Sequence, residues 1–235
     1  AGYCRADTPM TVRVPEETYK RIECSVAARN VTCGTIRIKV IPGVYHYRVW
    51  LPKGYHREKI CRPALFIAAP DGNAGMDNVA RFAAERRWIV IMLDESYNNS
   101  PSGMAEGCFI AAHDDAVKRF RIQEGMKFVT GFSGGARRQS LNAGLRPGFG
   151  GMILQGAGFI QKPGGTDYRQ EALQCYPELG VYALFGTRDQ NRQEAGVIGA
   201  WLPENTTLRI AEFRGGHEWA PSATMERALN WISAH

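Results

Sequence analysis

Gly131-Phe132-Ser133-Gly134-Gly135 is the stretch that decides the fold of this chain. Ahead of it runs Lys127-Phe128-Val129-Thr130, a short β-favouring segment. Behind it comes Ala136-Arg137-Arg138-Gln139-Ser140-Leu141-Asn142-Ala143, which contains good helix formers. A serine between a buried strand and a helix, with glycines two residues away on each side, is the pattern of a nucleophile elbow. Side chains at 131 and 135 would collide with neighbouring backbone in so tight a turn, and Ser133 is expected in a strained conformation. The turn aims its hydroxyl above the N-terminus of the following helix, where N–H groups and the helix dipole favour negative charge.

With 26 glycines in the chain, such a motif can arise by chance, so its context has to decide. A length of 235 residues fits one large domain. Hydrophobic residues at 44% and charged residues at 22% are those of an ordinary globular protein, and no apolar run is long enough to span a membrane. The net charge of +6 comes from scattered basic residues, doubled only at Arg86-Arg87 and Arg137-Arg138, so no stripe suited to nucleic acid is present. Cys4, Cys24, Cys33, Cys61, Cys108 and Cys175 form an even set with no Cys-x-x-Cys pair. Three disulfides in an oxidising compartment is the simpler expectation, with unassigned pairing, against six free thiols. A first residue other than Met, and no hydrophobic targeting segment, fit a mature chain that is secreted or periplasmic.

Residues 1–34 are polar, hold three cysteines and show no sustained period. They read as an extension packed on the body, with a short helix around Pro15–Cys24; residues 35–235 read as a single catalytic domain. Thr35–Val40 and Val44–Leu51 alternate apolar and polar residues about a Pro42-Gly43 turn, which predicts an antiparallel hairpin. Ala64–Ala69, Trp88–Leu93, Lys127–Thr130, Gly151–Gln155, Val181–Phe185 and Thr207–Phe213 read as strands. Helices are expected over Asp77–Arg87, Glu106–Gln123, Ala136–Ala143, Gln193–Leu202 and Ala223–Ser233, the last capped by Ser222. This alternation indicates an α/β fold, a mostly parallel sheet with helices on both faces after an N-terminal antiparallel hairpin. Sites in such sheets form at the carboxyl ends of strands.

That filter selects the chemistry. A serine needs an adjacent base to become nucleophilic. Of the five histidines, His46 sits in a strand, His56 in the next loop, His113 in a helix and His235 at the terminus. His217 alone follows a strand end, after Gly215-Gly216. The base needs a carboxylate, and Asp189, after Phe185-Gly186-Thr187-Arg188, is the candidate; Asp94, Glu95, Glu194 and Glu218 are less well placed. For an oxyanion the donors expected are the N–H of Gly134 and, from the loop after Ala64–Ala69, that of Asn73. Trp219 is the candidate for lining a substrate cleft. Residues 156–178 could hold a lid or specificity loop.

The segments Phe132-Ser133-Gly134-Gly135-Ala136-Arg137, Pro70-Asp71-Gly72-Asn73, Gly186-Thr187-Arg188-Asp189 and Gly216-His217-Glu218-Trp219-Ala220-Pro221 resemble the α/β-hydrolase superfamily. Within it they are most similar to serine esterases grouped with polyhydroxybutyrate depolymerases and feruloyl or acetylxylan esterases, as is Tyr45–Pro52. The resemblance spans residues 35–235 and implies nucleophile, acid and base roles for Ser133, Asp189 and His217. Many members carry His-Gly where this chain has Asp71-Gly72, a departure at the oxyanion loop.

The expected activity is hydrolysis of a small-molecule or polymer-linked carboxylic ester, without metal or cofactor. Gly156-Ala157-Gly158 is too short for a dinucleotide fingerprint, and no phosphate loop or metal-ligand spacing occurs. The alternatives are a peptidase or amidase using the same triad, and a non-catalytic binding protein on a hydrolase scaffold.

Overall fold

The computed structural model describes residues 9–14, 45–100, 104–146, 148–159, 179–202 and 206–234. Among the described residues, eight strands form one sheet: β1 (Met10–Arg13), β2 (His46–Trp50), β3 (Arg62–Ala68), β4 (Ile89–Leu93), β5 (Ile122–Phe132), β6 (Phe149–Gln155), β7 (Gly180–Gly186) and β8 (Leu208–Phe213). Their order is β1-β2-β4-β3-β5-β6-β7-β8. The β1–β2 and β2–β4 pairings are antiparallel, and every later pairing is parallel. Among the described residues the helices are α1 (Ala80–Arg86), α2 (Met104–Arg119), α3 (Gly134–Leu145) and α4 (Ser222–Ile232).

The strand period of two explains why there are two cores. Ala64, Phe66 and Ala68 of β3, with Ile89, Ile91 and Leu93 of β4, face a core shared with α2 and α3. Leu65 and Ile67, with Val90 and Met92, face a second core with Phe82 of α1 and Met225, Ala228, Leu229 and Ile232 of α4. Burial on both faces makes β4 and the Ala64–Ala68 run of β3 apolar throughout, as is usual for parallel strands. Phe66 is fully buried, in edge-on contact with Phe109 and Phe149, so its truncation to alanine is expected to cost about 3–5 kcal/mol.

The mostly parallel α/β sheet is the expected one, with adjustments that have physical causes. Thr35–Val40 and the helix at 15–24 lie outside the described residues. The antiparallel partner that is described for β2 on its outer side is Met10–Arg13, from the segment read as an extension, which therefore supplies an edge strand to the sheet. Helix α2 stops at Arg119 rather than Gln123, because the Arg121 carbonyl accepts the N–H of Arg62 at 2.8 Å and chain pairing with β3 begins at Ile122. The helix expected at 193–202 is instead two 3₁₀ turns, Gln190–Gly196 and Ile198–Trp201. Gly196 and Gly199 weaken any continuous helix there. Ser222 does not cap α4: Pro221 occupies the cap position, and the Ser222 hydroxyl donates to the Asp77 carbonyl at 3.3 Å.

The expectation of three disulfides fails at two of the six cysteines. Cys61 is free and exposed; Cys108 is free and buried, its thiol directed at Glu95 and its pKa pushed up by burial. The remaining four lie outside the described residues. No helix among the described residues is long and apolar enough to cross a membrane.

Candidate active site

Strand β5 runs into α3 through a turn at Ser133, which has φ 51° and ψ −119°. A non-glycine residue at positive φ is strained, and here the cause is close packing on both sides. A Cβ at Gly131 would lie 2.5 Å from the Gly135 carbonyl carbon, and one at Gly135 would lie 2.3 Å from the backbone oxygen of Ala68. The first atom is fixed by the opening turn of α3 and the second by the pairing of Ala68 with Gly131 in the β3–β5 ladder. At Gly134 the obstacle is softer: a Cβ would sit 1.7 Å from Oδ1 of Asn98, the end of an exposed side chain. The turn leaves Ser133 at the head of α3, whose first N–H, that of Gly134, has no acceptor within its own helix.

Three loops bring their side chains to this point. Ser133 Oγ lies 2.9 Å from His217 Nε2, and His217 Nδ1 lies 2.9 Å from Asp189 Oδ1. A carboxylate only accepts, so the Nδ1 proton of the neutral ring goes to Asp189 and Nε2 is left to accept from the serine hydroxyl. Asp189 is buried, its Oδ1 also accepting the N–H of Asn191 at 2.8 Å, and Oδ2 has no hydrogen-bond partner among the described residues. His217 is partly open to solvent and lies against Phe132, ring centres 4.7 Å apart. The arrangement can move a proton from the hydroxyl to the imidazole, with a buried negative charge behind the ring.

The rival carboxylates are engaged elsewhere. Asp94 pairs with Arg48, Glu95 with His46, Glu194 with Arg137, and Glu218 accepts the N–H of Gly216. Trp219 packs on Phe132 at 5.3 Å between ring centres, on the same aromatic surface that His217 touches. Asn73 is exposed, and its N–H donates to Asp71 Oδ1 at 3.0 Å. The second expected oxyanion donor is thus held inside its own loop, because an aspartate two residues ahead of a turn N–H captures it locally. The lid expected within 156–178 falls outside the described residues from 160 onward.

Sequence reasoning missed Asn78, Asn98 and Gln155. Asn98 lies over Gly134, its own N–H fixed by the Pro70 carbonyl at 2.8 Å. Gln155 was visible as a lone amide closing the apolar run Met152-Ile153-Leu154, a residue type that is buried only when satisfied.

No family model matches the sequence, and no curated protein matches it by sequence. The fold does have solved counterparts. The Staphylococcus aureus fluorophosphonate-binding serine hydrolase FphF superposes with a TM-score of 0.65 at 13% identity, over 96% of this chain and 98% of that one. A ferulic acid esterase gives 0.62 at 14% identity, over 80% and 92%. Dipeptidyl peptidase 4 of Porphyromonas gingivalis gives 0.62 at 10% identity, over 98% of this chain and 36% of that one. Sheet order, elbow and these likenesses together give the chain an α/β-hydrolase fold.

Proposed function

We propose that this protein is a serine hydrolase that cleaves carboxylic esters through an acyl-enzyme on Ser133. The hydrogen-bonded chain from Ser133 through His217 to Asp189 is the observation that carries the reading. As Ser133 Oγ attacks the carbonyl carbon, its proton passes to His217 Nε2, and Asp189 stabilises the imidazolium. The N–H of Gly134 receives the developing oxyanion, and Asn73 serves as second donor once its N–H leaves Asp71. Collapse expels the alcohol, which takes the proton from His217. Water then attacks the acyl-enzyme with His217 again as base, releasing the acid and restoring the serine. Trp219, beside Phe132, borders the substrate cleft.

The neighbours named as hydrolase and esterase support a hydrolase; the ester class is the proposal, for a small-molecule or polymer-linked substrate. Ser133→Ala is expected to lower p-nitrophenyl acetate turnover by several orders of magnitude while the fold persists. Hydrolysis at the wild-type rate by that variant rejects the mechanism. The dipeptidyl peptidase likeness favours one second reading, an amidase with the same triad. Aryl esters and peptide anilides assayed side by side separate the two. A secreted or periplasmic location belongs to the same proposal through Cys4, Cys24, Cys33 and Cys175; counting alkylated thiols with and without reductant tests it.

A further inference from the structure

Strand β6 ends at Gln155, and the chain turns away at Gly156, which has φ 62°. This corner touches all three loops of the site. The backbone carbonyl of Gln155 accepts the N–H of Ser133 at 2.8 Å. Its side-chain Oε1 accepts the N–H of Ala220, three residues beyond His217, at 3.2 Å and Asn78 Nδ2 at 2.9 Å. Asn78 Nδ2 also donates to the Ala220 carbonyl at 3.1 Å, so the base loop is gripped at both polar groups of one residue. On the acid side, the Gly156 carbonyl accepts Asn191 Nδ2 at 2.9 Å, and the N–H of Asn191 holds Asp189. A Cβ at Gly156 would lie 2.7 Å from the Phe132 ring and 3.1 Å from Asp189 Oδ2.

The amide of Gln155 has only one workable orientation. Its Nε2 donates to Thr130 Oγ1 at 3.0 Å, and that hydroxyl donates to the Ile153 carbonyl at 2.9 Å. Exchanging O and N would set donor against donor at both Ala220 and Asn78. Gln155 is fully buried, where an amide left without partners is destabilising. An apolar residue would satisfy the core at this place, so the amide calls for a reason beyond packing.

We propose that the Gln155–Gly156 corner positions the site, with the Gln155 carboxamide fixing the loop that carries His217 relative to the elbow and the acid loop. The inference rests on the serine hydrolase reading. Gln155 reaches no reacting atom; it acts through Ala220. A displacement near 1 Å at the base lowers turnover about a hundredfold. Gln155→Met keeps the side chain's length without its polarity, and is expected to lower kcat about 10- to 100-fold with KM within about threefold. Asn78→Ala removes the outer half of the grip and is expected to lower kcat about 3- to 10-fold, again without a matching rise in KM. Thr130→Val removes the inner hydrogen bond and leaves Oε1 on Ala220; its kcat is expected within about twofold of wild type, even at a lower melting temperature.

The rate at which a fluorophosphonate labels Ser133 is followed in the same four proteins, because it reads serine activation without any ester. Slower labelling in Gln155→Met and Asn78→Ala, with Thr130→Val near wild type, supports the proposal. It is overturned if Gln155→Met keeps kcat and labelling within about twofold, or if Thr130→Val loses as much as Gln155→Met. Should Gln155→Met not fold, Asn78→Ala against Thr130→Val decides by the same criterion. A wild type that is labelled but cleaves no ester refutes the ester assignment and leaves the labelling comparison intact.

Discussion

Acidification is expected to loosen the strand that carries Ser133, through a histidine far from the reacting atoms. His113 of α2 is buried among Phe66, Phe109 and Phe149, and burial pulls its pKa from an ordinary 6.5 to about 4. Its Nδ1 proton is held by Asp114 at 2.8 Å, and its Nε2 lies 2.9 Å from Lys127 Nζ on β5. Arg146 holds Asp114 from the other side, and the lysine is itself lowered to about 8 by burial. Protonating the ring would therefore set a buried cation against Lys127 and Arg146, opposed by the attraction of Asp114. A histidine with a depressed pKa takes its proton more readily when unfolded. Its contribution is present above about pH 6.5 and is lost progressively towards pH 4. The shift corresponds to roughly 3 kcal/mol, a large part of a domain's stability. Asp114, lowered to about 2 because the bonds from Arg146 and His113 outweigh burial, adds its own loss only below about pH 4. Urea unfolding at pH 7, 6, 5 and 4.5 measures this in wild type and in His113→Asn. The wild type is expected to lose about 2 kcal/mol more stability than His113→Asn over that window. Equal pH dependence in the two proteins refutes the reasoning.

The elbow gives a graded test in three glycines. Gly131→Ala and Gly135→Ala each meet backbone atoms, at 2.5 and 2.3 Å, and are expected to abolish labelling of Ser133 and lower the melting temperature. Gly134→Ala displaces only the end of Asn98 and is expected to fold with a stability change within about 1 kcal/mol, read by thermal unfolding. Arg137 ties α3 to the acid loop, bonding Glu194 and the Phe159 carbonyl. Arg137→Ala leaves the partly buried Glu194 without that partner, and a loss of about 1–3 kcal/mol is expected in urea titration.

What the sequence discloses and what it hides follow from the range of the forces involved. The central strands were legible because burial on both faces leaves short apolar runs with sharp ends, as at Ala64–Ala69 and Trp88–Leu93. The elbow was legible because steric exclusion at Gly131 and Gly135 writes itself into residue type. His217 and Asp189 could be picked because sheet topology restricts sites to strand ends. Met10–Arg13 could not, since four residues carry too little periodicity and the strand is defined by its partner β2. The end of α2 was misjudged for a similar reason: pairing of Arg62 with Arg121 overrides helix propensity. Asn73 illustrates a local competitor, Asp71, taking a donor that a distant site was expected to use. Gln155 shows the converse, a single polar residue whose role appears only when Ala220 and Asn78 are folded against it.

The central claim is that Ser133 is activated by His217. Its most direct measurement is mass spectrometry of the intact chain and its peptides after exposure to a fluorophosphonate, in wild type, Ser133→Ala and His217→Ala. Stoichiometric labelling of the peptide containing Ser133 in wild type, none in Ser133→Ala, and labelling slowed at least about a hundredfold in His217→Ala is the predicted result. Labelling of His217→Ala at the wild-type rate, or an unlabelled wild type, contradicts the claim.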